Sequence, residues 1–216
     1  MMIMEEDLIR DLNAIIMNNK VKGVVESRKR EFMENRFGDE RVWLTELTYC
    51  ILVANTSAKS GLKCIKALTE SGKLFDGSVK DIEEILKING YRYPRKRAEY
   101  IIEARGRIKE IKEVVERTMD PNGRRDWLRR NVKGLGMKES SHFLRNMGYF
   151  DYAIIDRHIL KILSKYGITK IEQKKLTVKR YLELEKLIKE ISMKLNVEPG
   201  ILDLYLWYMD TGEVLK

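Results

Sequence analysis

The sequence predicts an all-α protein, and three observations carry that expectation. Strand signals are nearly absent from its 216 residues. Apolar residues recur at helical spacing along most of the chain. The three prolines, Pro94, Pro121 and Pro199, each fall between such stretches, where they punctuate. Residues 5–17 read as an amphipathic helix, as do 40–54, 58–70, 79–88 and 95–117. Residues 126–147 predict two helices joined by a tight turn: "DWLRRNV", then Lys133-Gly134-Leu135-Gly136, then "MKESSHFLRNM", closed by Gly148 as a C-cap. Next comes an apolar run, Ala153-Ile154-Ile155, and then Asp156, placed to cap the helix "RHILKILSKYG". In 181–195, Tyr181, Leu184, Leu187, Ile188, Ile191 and Leu195 keep a helical period. The last helix, "ILDLYLWYM", gathers Ile201, Leu204, Tyr205 and Tyr208 on one side, while Asp203, Asp210 and Trp207 share a polar stripe. A large aromatic on a polar face either packs under another segment or faces a cleft. The expected array is compact, of roughly ten helices, with no internal repeat and no long linker.

Composition narrows the function classes. Lys+Arg 42 against Asp+Glu 33 gives a formal charge of +9, which favours a polyanionic partner without requiring one. Cys50 and Cys64 sit in apolar or helical surroundings and read as reduced core residues. With only His142 and His158 beside them, they supply no metal-ligand spacing, so no metal site is expected. The start, "MMIMEEDLIRDL", is acidic and amphipathic rather than a basic start followed by an apolar block, and no run reaches membrane length. These features predict a soluble, intracellular (cytoplasmic) protein with no membrane partner, working as a monomer. Heavy Lys, Glu and Ile usage with a single Gln, Gln173, matches heat-adapted composition.

The hairpin concentrates the chemistry. Gly134 and Gly136 permit a left-handed or close-approach backbone, and Val132 and Leu135 can dock the turn on a core. Amides at such a turn point outward at a helix N-terminus and suit a phosphate without reading sequence. In the second helix Met137, Ser140, Phe143, Leu144 and Met147 form the buried side, leaving Lys138, His142 and Arg145 as a short basic face. Lys138 lies on the first turn, where the helix dipole is positive. Arg145, two turns along, is expected to add to that field, and both disfavour an ammonium, as an amine nucleophile requires. A solvated surface lysine is the plain alternative. Asp156 likewise has a plain role as a helix cap, and capping is compatible with catalysis because amide donors hold the carboxylate rigid and ionised.

The motif "VKGLGMKESS" followed by "AIIDRH" resembles the signature of the bifunctional helix-hairpin-helix DNA glycosylases: a Gly-hydrophobic-Gly hairpin, a lysine two positions on, and a distal aspartate. "ILVANTSAKSGLKCIKAL" (51–68) is similar to the early helix pair of that superfamily, and "NGYRYPRKRAEYI" (89–101) to its wedging loop and helix. With the ending "LDLYLWYMDTGEVLK", most of the chain resembles the compact archaeal branch of the 8-oxoguanine DNA glycosylase/AP lyases. It departs from relatives that carry a four-cysteine iron–sulfur loop, having no cysteine beyond Cys64. It also lacks the extra N-terminal domain of the eukaryotic enzymes, so base contacts drawn from that domain must come from elsewhere.

The resemblance implies two helical subdomains, 40–149 with the hairpin and 1–39 with 150–216, and a double-stranded DNA partner containing 8-oxoguanine. The lesion nucleotide, flipped out of the duplex, would sit between Lys138 as nucleophile and Asp156 as stabilising carboxylate. Base excision through a Schiff base and strand cutting by β-elimination would follow. Lys133, Gly134, Gly136, Arg145 and His158 would contact the DNA backbone. Asn55 would fill the vacated stack, with Tyr91, Arg92 and Tyr93 wedging the opposite strand. Trp207 would stack on the base. The carboxylate at Lys216 would accept the N7 hydrogen that marks 8-oxoguanine, with Asp203 the next candidate. No dissociable cofactor is implied, although such a hairpin can hold a monovalent cation on its carbonyls. Two other functions stay open: a glycosylase of the same fold for another oxidised base, and a non-catalytic hairpin DNA-binding protein.

Overall fold

The computed structural model describes the backbone of residues 2–170 and 176–216, and side chains from Glu5 onward; Gln173 lies outside the described residues. Among them the chain forms thirteen helices and no strand. Its contacts divide it into two compact units, Met1–Met33 with Leu144–Lys216, and Glu34–Phe143. Both joins lie six residues before those expected (39 − 33 and 149 − 143), and the second falls inside the helix after the hairpin.

In the Glu34–Phe143 unit the centre is α3 (Glu40–Val53), which is buried at every position from Trp43 on except Thr45 and takes α4 (Ala58–Glu70), α7 (Pro94–Gly106) and α8 (Ile108–Arg117) against it. A helix apolar nearly all round is one enclosed by its neighbours. The short α5 (Lys73–Asp76) leads into α6 (Val79–Ile88), which opens with a capping box between Ser78 and Asp81 and packs on α7. The expected helix 95–117 is two: it breaks at Gly106–Arg107, where the Arg107 guanidinium holds Glu110 and donates to Asn131 O at 2.7 Å. Asp120 caps α9 (Pro121–Asn131), which therefore starts ahead of the predicted 126. The turn then gives way to α10 (Met137–Asn146).

In the other unit, α1 (Met2–Ile16) packs its Leu8 and Leu12 side against α12 (Val178–Leu195) and α13 (Pro199–Thr211), and α11 (Arg157–Lys165) also packs on α13. α2 (Asn19–Arg36) was not expected. Only Val21, Val25 and Phe32 of its eighteen residues are buried, so its apolar period is thin, although Asn18 caps it by accepting from Lys20 and Val21 N–H.

Candidate active site

The turn after α9 is shaped by Gly134, at φ +92°, where a Cβ would lie 3.0 Å from Tyr100 Cδ2 and 3.1 Å from Arg97 Nη1. Glycine alone fits this backbone and this space. Val132 and Leu135 are buried and seat the turn, as expected. Gly136 is the N-cap of α10, but its amide does not point to solvent: Glu139 Oε2 accepts it at 3.1 Å. An N3 glutamate reaching back to the N-cap amide is half of a capping box, and the E two places after the glycine–methionine pair was the signal for it. Glu139 Oε1 also stands 3.3 Å from Lys138 Nζ, whose side chain is 26% exposed. The lysine thus projects from the first turn, neither buried nor freely solvated, with Glu139 its one ion-pair partner among the described residues. Lys133 pairs with Glu103 at 2.7 Å, which raises its pKa, first by the hydrogen bond and then by the charge.

The expected basic face of α10 does not form. His142 is buried edge-on to Tyr49, ring centroids 5.5 Å apart. Arg145 is 2% exposed, lies 4.7 Å over the Phe32 ring and pairs with Asp203 Oδ2 at 3.6 Å. Gly200 leaves room for it, since a Cβ there would meet Arg145 Cγ at 3.0 Å. Arg145 is therefore a core residue rather than a DNA-backbone contact, and Asp203 is its buried counter-ion rather than an open base reader.

Asp156 is held from both sides along the chain. The preceding segment 153–155 lies outside any helix, and α12 holds its backbone: Tyr181 Oη donates to Ala153 O at 2.8 Å and accepts from Ile155 N–H, while Glu185 accepts from Ala153 N–H. Asp156 then caps α11, Oδ1 accepting from His158 N–H at 2.8 Å and Ile159 N–H at 3.0 Å. Oδ2 takes no hydrogen bond among the described residues. One oxygen fixes the carboxylate and the other is outside the cap.

Beyond this cap, His158 Nδ1 lies 2.5 Å from Asp210 Oδ2, and its ring leans on Trp207 at 4.1 Å between centroids. Lys161 holds the other oxygen of Asp210 at 2.6 Å. Burial pushes the Asp210 carboxyl up, but the hydrogen bonds and charges of Lys161 and His158 outweigh it and hold it below its usual range. Asp210, on the polar stripe with Trp207, was passed over in the sequence; the stripe itself was the signal. The Trp207 indole N–H is buried without a hydrogen-bond partner among the described residues. In the tail after α13, Gly212 and Glu213 are exposed and residues 214–216 half-buried, with Lys216 Nζ 3.6 Å from Glu31.

Asn55 sits exposed in the α3–α4 turn at φ +63°, its side chain without a partner among the described residues. Arg92 and Tyr93 are exposed, the guanidinium 5.0 Å from the ring centroid. Tyr91 is not available as a wedge. It is 4% exposed, its hydroxyl donating to Leu52 O at 2.6 Å, and burial pushes its phenol pKa up. Among the described residues no group of three or more His, Cys, Asp or Glu could hold a metal, and no helix is long and apolar enough to cross a membrane.

A Gly-x-Gly turn between two helices, with a lysine on the first turn of the second and a capped carboxylate downstream, marks a helix-hairpin-helix protein. The sequence model of a family described as 8-oxoguanine DNA glycosylase matches residues 25–197, and the chain belongs to that family. It is 44% identical over 211 residues to the 8-oxoguanine DNA glycosylase/AP lyase of Korarchaeum cryptofilum, covering 98% of this chain and 99% of the relative. The enzyme of the same description from Methanocaldococcus jannaschii is 41% identical, over 93% of this chain and 96% of its own. Among solved structures, an M. jannaschii 8-oxoguanine glycosylase/lyase in complex with 15mer DNA containing 8-oxoguanine is similar at a TM-score of 0.90, with 40% identity over 97% of this chain and 99% of that one. The 8-oxoguanine DNA glycosylase of Thermotoga maritima is similar at 0.87, with 38% identity over 98% and 100%.

Proposed function

We propose that this protein excises 8-oxoguanine from DNA and then cuts the strand, with Lys138 as nucleophile and Asp156 as the stabilising carboxylate. The observation that carries the reading is the near full-length similarity to a chain crystallised on DNA containing 8-oxoguanine. The Lys138 amine forms a bond to C1′ as the glycosidic bond breaks, and the bonding pair leaves with the base, which takes up a proton. Asp156 stabilises the cation that develops at the sugar and relieves the amine of its proton. Opening of the sugar ring leaves a protonated Schiff base. That group withdraws electrons, so that loss of a C2′ proton expels the 3′ phosphate by β-elimination.

The same reading assigns supporting roles to other residues. Asn55, with a free side chain on an exposed turn, fills the stack left by the flipped nucleotide, and Arg92 and Tyr93 press on the opposite strand. Lys133, the Gly134 turn and His158 meet backbone phosphate, Trp207 stacks on the base, and the Lys216 carboxylate accepts the N7 hydrogen. The chemistry needs no dissociable cofactor; a monovalent cation on the hairpin carbonyls would only steady the turn. Its place of work is the nucleoid.

Matched duplexes carrying 8-oxoguanine, an oxidised pyrimidine, an abasic site or no lesion test the reading. Cleavage at 8-oxoguanine and at the abasic site is expected. Preferential cutting at the oxidised pyrimidine would reassign the substrate, and binding without any cutting would make the protein a hairpin DNA-binding module.

A further inference from the structure

Within the Glu34–Phe143 unit, the turn bearing Asn55 and the hairpin turn converge on one side chain, that of Arg97, which follows the loop bearing Arg92 and Tyr93. It lies in the first turn of α7, 7% exposed, with its backbone N–H on Tyr93 O at 3.1 Å. Nη2 donates at 2.9 Å to the carbonyl of Ala54, the residue just before Asn55. Nη1 lies close to the hairpin, 3.1 Å from where a Cβ at Gly134 would sit. Tyr91 completes the tie through its bond to Leu52 O.

Packing alone does not explain an arginine at this position. No carboxylate pairs with it among the described residues, and its Nε is buried without a partner. Withdrawing a full positive charge from water costs stability that one carbonyl hydrogen bond and the Tyr100 ring, 5.6 Å away, offset only in part, and a neutral side chain could fill the same space. The charge is aimed at the Gly134 turn, where a phosphate would supply that neutralisation.

We propose that Arg97 is a positioning residue for lesion extrusion: its guanidinium locks the Asn55 turn to the hairpin turn, and its unpaired charge is neutralised by a DNA phosphate seated on the hairpin. The proposal rests on the excision reading above. Seating the phosphate then also fixes the turn that carries Asn55, so backbone binding and base extrusion are coupled through one buried residue.

The test compares Arg97→Gln and Arg97→Lys with the parent full-length chain, on undamaged duplex and on 8-oxoguanine duplex with 2-aminopurine beside the lesion. Arg97→Gln should bind undamaged duplex about tenfold more weakly, with the slope of log affinity against log salt reduced by about one. Arg97→Lys keeps the charge but not the fork, so it should retain the slope and lose most of the 2-aminopurine rise. In both variants extrusion should fall further than cleavage of single-stranded abasic DNA, a split that general loosening of the fold would not produce. Parental slope and fluorescence in both variants would overturn the proposal, as would losses that track melting temperature alone. Should Arg97→Gln fail to fold, parental extrusion by Arg97→Lys would overturn it by itself. If the parent chain binds lesion duplex but excises nothing, the excision reading fails, while slope and fluorescence still judge Arg97.

Discussion

Arg145→Met separates a buried ion pair from a phosphate contact. Arg145 and Asp203 are 2% and 10% exposed at their side chains and 3.6 Å apart, with the guanidinium 4.7 Å above the Phe32 ring. Methionine keeps much of the apolar stem but leaves Asp203 without this counter-charge. Breaking a buried pair from one side costs about 3–5 kcal/mol. In a chain of this size each kcal/mol moves Tm by about 2–4 °C, so the midpoint should fall by roughly 6–20 °C. Replacing both partners, Arg145→Met with Asp203→Leu, removes both charges and should recover most of that loss, a coupling that a double-mutant cycle of thermal melts measures directly. Below the transition, where the single variant is folded, its DNA affinity should keep the parental salt dependence, since Arg145 reaches no phosphate. A Tm within a degree or two of the parent, with a salt slope lowered by about one, would refute the assignment and restore Arg145 to the DNA-contacting face.

Three other outcomes are expected. Asp156→Asn retains an oxygen for the amides of His158 and Ile159, so a chemical melt should show a cost of a few tenths to about 1 kcal/mol; single-turnover excision should nevertheless fall by orders of magnitude, and a near-parental rate would leave Asp156 a helix cap alone. Gly134→Ala forces a side chain onto φ +92° and against Tyr100 and Arg97, and should cost about 1–3 kcal/mol in the same measurement, with weaker DNA binding; an unchanged melt would show that the turn relaxes. The Asp210 carboxyl is held below its ordinary value of 3.8, so its stabilising contribution is fully present above that value and is lost as pH falls through the depressed one; the stability difference between parent and Asp210→Asn should shrink on acidification below about pH 4, whereas a difference that grows there would contradict the pairing.

What the sequence disclosed was local. The Gly134 turn, the position of Lys138 on the first turn of α10, and the Asp156 cap depend on residues within a few places of one another, and glycine and capping preferences report such geometry directly. What it concealed was set by distant partners. A helical wheel put Arg145 on a polar face because nothing nearby reveals Asp203, 58 positions on (203 − 145), or Phe32. Tyr91 read as a wedge because its acceptor, Leu52 O, lies 39 residues back. The α7–α8 break was hidden because Ile101, Ala104, Ile108, Ile111 and Val115 keep one apolar stripe across it, and Gly106 was the only local hint. α2 escaped because three buried side chains in eighteen residues leave little period to detect.

The central claim, that Lys138 is the amine which joins C1′ of the damaged nucleotide, is tested most directly by borohydride trapping followed by peptide mapping of the cross-link. Borohydride added during reaction with 8-oxoguanine duplex should reduce the Schiff base to a stable covalent complex, with the nucleotide remnant on the peptide containing Lys138. Lys138→Gln should bind the duplex and give no complex, because binding is spread over many phosphate contacts while the imine needs this one amine. A remnant on another lysine, or undiminished trapping by Lys138→Gln, would contradict the account.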